Sequence, residues 1–145
     1  MSDPFQLQRF VDAQATVIER VLDELREGRK RSHWMWFVFP QLQGLGLSET
    51  ARYYAISSLE EARAYLGHPV LGGRLLQCSE LVRAVEGRSV AAIFGSPDDL
   101  KFHSSMTLFL AADPSQAVFC DSLQKYFGGR SDEATLSLLR ADRGA

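Results

Sequence analysis

Residues 30–41, KRSHWMWFVFPQ, constrain this chain more than any other stretch. Two Trp, two Phe, one Met and one Val stand together after a Lys, an Arg and a His, and Pro-Gln closes the run. So much aromatic surface belongs either in the middle of a core or at the floor of a pocket. Periodicity leaves helix and buried strand both open for 33–39, because every position from Trp34 to Phe39 is apolar. Helix is the expectation adopted, since no other segment makes a convincing strand partner. Ser32 would cap it and Pro40 would end it.

The rest of the chain reads as helices punctuated by Pro, Gly and Ser. Residues 5–27 carry Leu7, Phe10, Val11, Val17, Ile18, Val21, Leu22 and Leu25 at helical steps, with Asp3-Pro4 as cap and first position and Gly28 as a left-handed stop. A weakly patterned stretch at Ala13 to Thr16 marks a place for a kink. The segment 41–48 is a loop with two glycines, and Ser48 caps a short helix after it. Ser58-Leu-Glu-Glu is a capping box, and Pro69 opens a helix to about Val85. The pair Gly72-Gly73 near its start signals a close approach to the backbone. Ser89, Ser96-Pro97, Asp113-Pro114 and Ser131 mark further starts. The expectation is an all-α fold: a single compact domain over 1–145, with frayed ends at about 1–4 and 141–145. It has about seven to eight short and medium helices at irregular angles rather than a simple four-helix bundle.

Composition excludes several classes. With 46% hydrophobic and 23% charged residues the chain is not disordered. A net charge of -2 and pI near 5.9 remove the electrostatic case for duplex nucleic acid or an anionic membrane surface. No apolar run approaches a membrane span, and MSDPFQLQRF shows no secretory signal. Cys78 and Cys120, far apart and in unrelated contexts, read as buried thiols on helix faces in a reducing, cytoplasmic setting.

The residues that carry chemistry are few. His33, His68 and His103 have no metal-ligand spacing, so no metal and no cofactor is expected. Ser104 and Ser105 follow Lys101 and His103 without a nucleophile elbow, and Lys101 and Ser105 share a helix face. A serine back-bonded to its own helix explains them equally well. Phosphate binding has two candidate helix starts, Lys30-Arg31-Ser32-His33 and His68 through Arg74, where Gly72 and Gly73 leave the backbone bare. Aromatics beside a basic turn suit a ligand with a flat ring and a negative end. The competing reading is that Trp34, Trp36, Phe37 and Phe39 are core and the basic prefix is a solvated terminus. Glu60-Glu61 and Asp98-Asp99 read as first-turn partners of helix dipoles.

The segments GRKRSHWMWFVFPQLQGLG, YYAISSLEEARAYLGHPVLGGRL, DDLKFHSSMTLF and YFGGRSDEATLSLL, in this order and spacing, resemble the bacterial family called domain of unknown function 1810, sometimes labelled calpastatin-like. The resemblance runs from about Phe10 to Leu139. It implies a small helical single-domain fold and no particular activity. The family's signature residues fall on Lys30, His33, Trp34, Trp36, Pro40, Gln41, His68, Pro69, Arg74, Lys101, Ser104 and Ser105. The short stretch Pro69 to Arg74 is also similar to part of the NADAR family of N-glycosidases acting on ADP-ribose-type bonds.

The functional expectation is a pocket for a nucleotide-like or ADP-ribose-like anion, extending to hydrolysis of an N-glycosidic bond. Its ligand-binding residues would be Lys30, Arg31, His33, Trp34, Trp36, Gln41, His68, Gly72 and Arg74. Its catalytic candidates would be His33, Lys101, Ser104 and Ser105, with the acid unassigned among Glu49, Glu60 and Asp99. The alternative is a protein-interaction module presenting Tyr53, Tyr54 and Trp34. Single-stranded nucleic acid binding is disfavoured by the acidic pI. The partner expected is a small nucleotide-type molecule; oligomeric state is not legible.

Overall fold

A computed structural model describes residues 3–144, with side chains over 3–141. Among these residues there are ten helices: α1 (Gln8–Ala15), α2 (Ile18–Arg26), α3 (Met35–Val38), α4 (Glu49–Tyr53), α5 (Leu59–Gly67), α6 (Leu71–Ala84), α7 (Val90–Phe94), α8 (Asp98–Ala112), α9 (Ala117–Phe127) and α10 (Glu133–Gly144). The fold is all-α. No strand is present among the described residues; Leu42 and Ile56 form one isolated parallel bridge. No helix described is long and apolar enough to cross a membrane.

There are more helices than expected, chiefly because the first predicted helix is two. Thr16, Val17 and Ile18 are consecutive β-branched residues, which lose side-chain freedom in a helix. The chain breaks there, with Val17 in non-helical geometry. The break is also anchored: Gln14, 2% exposed, turns its amide inward to bond elements far away. Asp3 does cap α1, but across an extra turn. Its carboxylate accepts from the N–H groups of Leu7 and Gln8, so Asp3 is held, and α10 runs through Gly144. Positions 1, 2 and 145, part of the ends expected to fray, lie outside the described residues.

Other starts shift by a residue or more. Ser48, Ser58 and Ser89 cap α4, α5 and α7 as their spacing predicts. In the box at α5 the reciprocal arm slips by one: Glu61 accepts from the N–H and hydroxyl of Ser57, not Ser58. Asp113 closes a local turn onto Ser115, which delays α9 to Ala117. Asp132 replaces Ser131 as the cap of α10.

α8 is the central element, packing against α5, α7, α9 and α10, while α6 lies against α2, α5 and α9. Phe39, just past α3, is fully buried and meets Phe94 and Phe102 edge-on at 5.8 and 5.1 Å. Tyr65 meets Phe10 and Phe109 at 5.1 and 5.4 Å. The close approach signalled by Gly72 is real. A Cβ there would lie 2.0 Å from the carbonyl oxygen of Leu66, so α5 and α6 touch backbone to backbone. Gly73 faces open space.

Candidate functional site

The aromatic run forms a single helical turn, α3, and two polar clusters grip it. The first begins with Glu24, 5% exposed on α2. Its carboxylate accepts from Arg31 N–H (2.7 Å), Ser32 N–H (3.1 Å), Ser32 Oγ (2.6 Å) and the Trp34 indole N–H (2.9 Å). Burial works to raise its pKa, but these donors more than offset it, and the net direction is down. The basic prefix is thus wrapped around an internal anion.

Lys30 and Lys101 complete this cluster by sharing Asp98, at 2.9 Å and 3.4 Å. Lys30 Nζ also lies 5.2 Å from the Trp34 ring centre, and Lys101 Nζ lies 4.9 Å from that of Trp36. The result is a chain Trp34–Lys30–Asp98–Lys101–Trp36 joining α3 to the start of α8. Asp98 is more than a dipole partner; it bridges two ammonium groups.

The second cluster meets α3 at the carbonyl of Phe37. Gln14 donates to the carbonyl of Phe37 (2.7 Å) and lies 3.1 Å from the Tyr65 hydroxyl. Its amide oxygen accepts from Arg74 Nη1 at 3.3 Å. Arg74 is half-buried and, among the described residues, forms no ion pair with a carboxylate. Cys78, one turn beyond it on α6, is fully buried, and burial pushes its thiol up to about 12, which removes it as a nucleophile. Burial also raises the Tyr65 phenol. Cys120 is exposed rather than buried, and both thiols are free.

Several sequence-predicted site residues already have partners within the fold. Trp34 is 1% exposed with its N–H committed to Glu24, so it offers no face to a ligand and leaves the expected interaction patch, although Tyr53 is exposed. Lys30 is 8% exposed and ion-paired, so it is not free to hold a phosphate. Arg31 is exposed but paired with Glu27 at 2.6 Å. His68 caps α6 by accepting from Val70 and Leu71 N–H on Nδ1. Gly72 is buried at the α5–α6 crossing. The backbone carbonyl of Gln41 accepts from Ile56 N–H.

The catalytic candidates divide likewise. Ser104 back-bonds to Leu100 and donates to Asp132 at 3.1 Å, which ties α8 to the cap of α10. Ser105 is fully buried and its hydroxyl has no partner among the described residues. His33 is exposed. No hydrogen bond or ion pair joins His33, Arg74, Lys101 and Ser105 to one another among the described residues. The histidines stay apart: His103 stacks on Phe127 at 3.9 Å and donates to the Arg130 carbonyl. Among the described residues no group of three or more His, Cys, Asp and Glu is arranged to hold a metal ion.

The model of the family described as protein of unknown function (DUF1810) matches residues 4–139. The chain belongs to this family. Among solved structures it is similar to the crystal structure of the conserved hypothetical protein Rv1873 from Mycobacterium tuberculosis. The two are 59% identical, the match covers 95% of this chain and 99% of that one, and the TM-score is 0.94. No curated protein matches the chain.

In this DUF1810 protein, residues passed over in the sequence do much of the positioning. Arg9, 12% exposed, bonds the carbonyls of Phe5, Gln6, Tyr53 and Ala55 and pairs with buried Glu61 at 2.9 Å. It fastens α1 to the α4–α5 corner, as Glu24 fastens α2 to α3. Neither contact leaves a periodic trace, because each joins distant segments through one side chain.

Proposed function

We propose that this DUF1810 protein binds a small anionic ligand with a flat ring, of nucleotide or ADP-ribose type, beside α3. Arg74 is the anion contact and Trp36 the stacking surface. The observation that carries this reading is the environment of Arg74. Among the described residues the half-buried Arg74 guanidinium bonds the neutral amide of Gln14 and pairs with no carboxylate, whereas Lys30, Arg31, Lys101 and Arg9 each pair with one. Guanidinium is also the side chain best matched to phosphate oxygens. Trp36 is half-buried, unlike Trp34, and follows the same turn whose Phe37 carbonyl holds Gln14.

Binding, not hydrolysis, is the proposal. Glycosidic hydrolysis needs a carboxyl at the bond, and Glu49 and Glu60 are exposed on other elements while Asp99 accepts from Leu100 N–H. Setting the protein in the cytoplasm accords with its charge and free thiols. The test is calorimetric titration of nucleotides and ADP-ribose derivatives into wild type, Arg74→Gln and Trp36→Ala. Both variants should lose at least tenfold in affinity, roughly the worth of one charged hydrogen bond or one stacked ring. Absence of binding at millimolar ligand, or full affinity in Arg74→Gln, would sink the reading.

A further inference from the structure

We infer that the ligand's ring is neutral and electron-rich, of purine type, and that a ring carrying a positive charge is selected against. This rests on the reading of Trp36 as the stacking surface. The Lys101 ammonium already lies over the Trp36 ring, 4.9 Å from its centre. An aromatic face attracts cations through its negative quadrupole. With one face engaged by an ammonium, the π density available on the other falls, and an incoming ring meets a less negative surface. An electron-rich neutral ring stacks well on such a face; a cationic ring does not.

The charge around Trp36 points the same way. Lys101 lies between the Trp36 ring and the Asp98 carboxylate, which it shares with Lys30 at 3.4 and 2.9 Å, so the ammonium is held in place over the indole. The side chains are only 8, 22 and 19% exposed for Lys30, Lys101 and Asp98, which limits screening by solvent. The ammonium held over one face of Trp36 disfavours a second cation stacked on the other. The class of ligand is therefore a phosphate-bearing molecule with an uncharged heteroaromatic base, not one presenting an oxidised pyridinium.

Nicotinamide mononucleotide and its reduced form isolate the effect, since they share the ribose phosphate and differ in ring charge. AMP serves as the purine probe. Calorimetric titration of all three into wild type and Lys101→Gln should show AMP and the reduced mononucleotide binding about tenfold tighter than the oxidised one, within the range of a partly desolvated cation–π contact. The gap should close to within about threefold in Lys101→Gln, as expected when one of two cations is neutralised. Equal or tighter binding of the oxidised form overturns the inference and leaves the proposed site standing. So does a gap unchanged in Lys101→Gln. Failure of all three probes to bind overturns the site and the inference together.

Discussion

Glu24 supplies the sharpest test of how the aromatic turn is held. Glu24→Ala removes the acceptor for four donors, of which the Trp34 indole N–H is buried and the other three are partly so. A buried donor left without a partner costs about 1–3 kcal/mol, and a half-buried one regains water at smaller cost, so the sum is about 3–5 kcal/mol. Glu24→Gln keeps an oxygen where three donors converge and loses only charge assistance, about 1–2 kcal/mol. Urea denaturation followed by tryptophan fluorescence measures both through the midpoint at constant slope. The pH dependence carries the sign. The folded pKa of Glu24 lies below its ordinary value of 4.5, so the carboxylate stabilises the fold above that value. This contribution fades as pH falls below 4.5 through the folded pKa, and the deficit of Glu24→Gln relative to wild type should shrink over the same window. A deficit under 1 kcal/mol for Glu24→Ala, or a Glu24→Gln deficit that ignores pH, would refute the account of Glu24 as the internal anion for this turn.

The two adjacent glycines of α6 should part company. Gly72→Ala forces a methyl onto the Leu66 carbonyl and should cost more than about 3 kcal/mol in urea denaturation, as backbone overpacking does, while Gly73→Ala, open and helical, should gain up to about 1 kcal/mol. Asp132→Ala loses the Thr135 and Ser104 donors together and should cost about 1–2 kcal/mol, with faster amide exchange confined to α10. Ser104→Ala should cost less than half as much. Thiol titration at pH 8 with a disulfide reagent should label Cys120 rapidly and Cys78 only after unfolding, giving one fast thiol in the native protein. Arg74→Met should leave the urea midpoint unchanged or raise it, because it removes a half-buried charge that no carboxylate balances; a loss above about 2 kcal/mol would mark Arg74 as structural.

The punctuation of the fold was legible and its adhesion was not. Serine caps at Ser48, Ser58 and Ser89 and the left-handed glycine at Gly28 are local signals, complete within four or five residues. Where two capping residues stand side by side, the winner depends on a distant partner. Asp132 prevails over Ser131 because Ser104 of α8 reaches it and Thr107 accepts its N–H. Arg9 and Glu61 are fifty-two positions apart, and no pattern along the chain foretells their contact. The same blindness applies to the candidate site. Lys30, His68 and Ser104 are polar residues in constrained places, a property shared by ligand contacts and by side chains that satisfy backbone and carboxylates at helix corners. Burial and partners separate the two classes, and the sequence holds neither.

That separation sharpens the electrostatics of the molecule. A chain of net charge -2 has enough carboxylates to pair its cations, and around α3 it does so economically: one Asp98 holds two lysines, and one Glu24 takes four donors without any cation. A fold arranged so closely around its acids could have placed one beside Arg74, and the neighbouring position instead holds the amide of Gln14, tied on its other side to Phe37 and Tyr65. The amide fixes the guanidinium in place without neutralising it. Stability alone gives no reason for that choice, since an apolar side chain of similar length avoids the desolvation cost altogether. A positioned guanidinium that no described carboxylate neutralises has its natural complement in an anion.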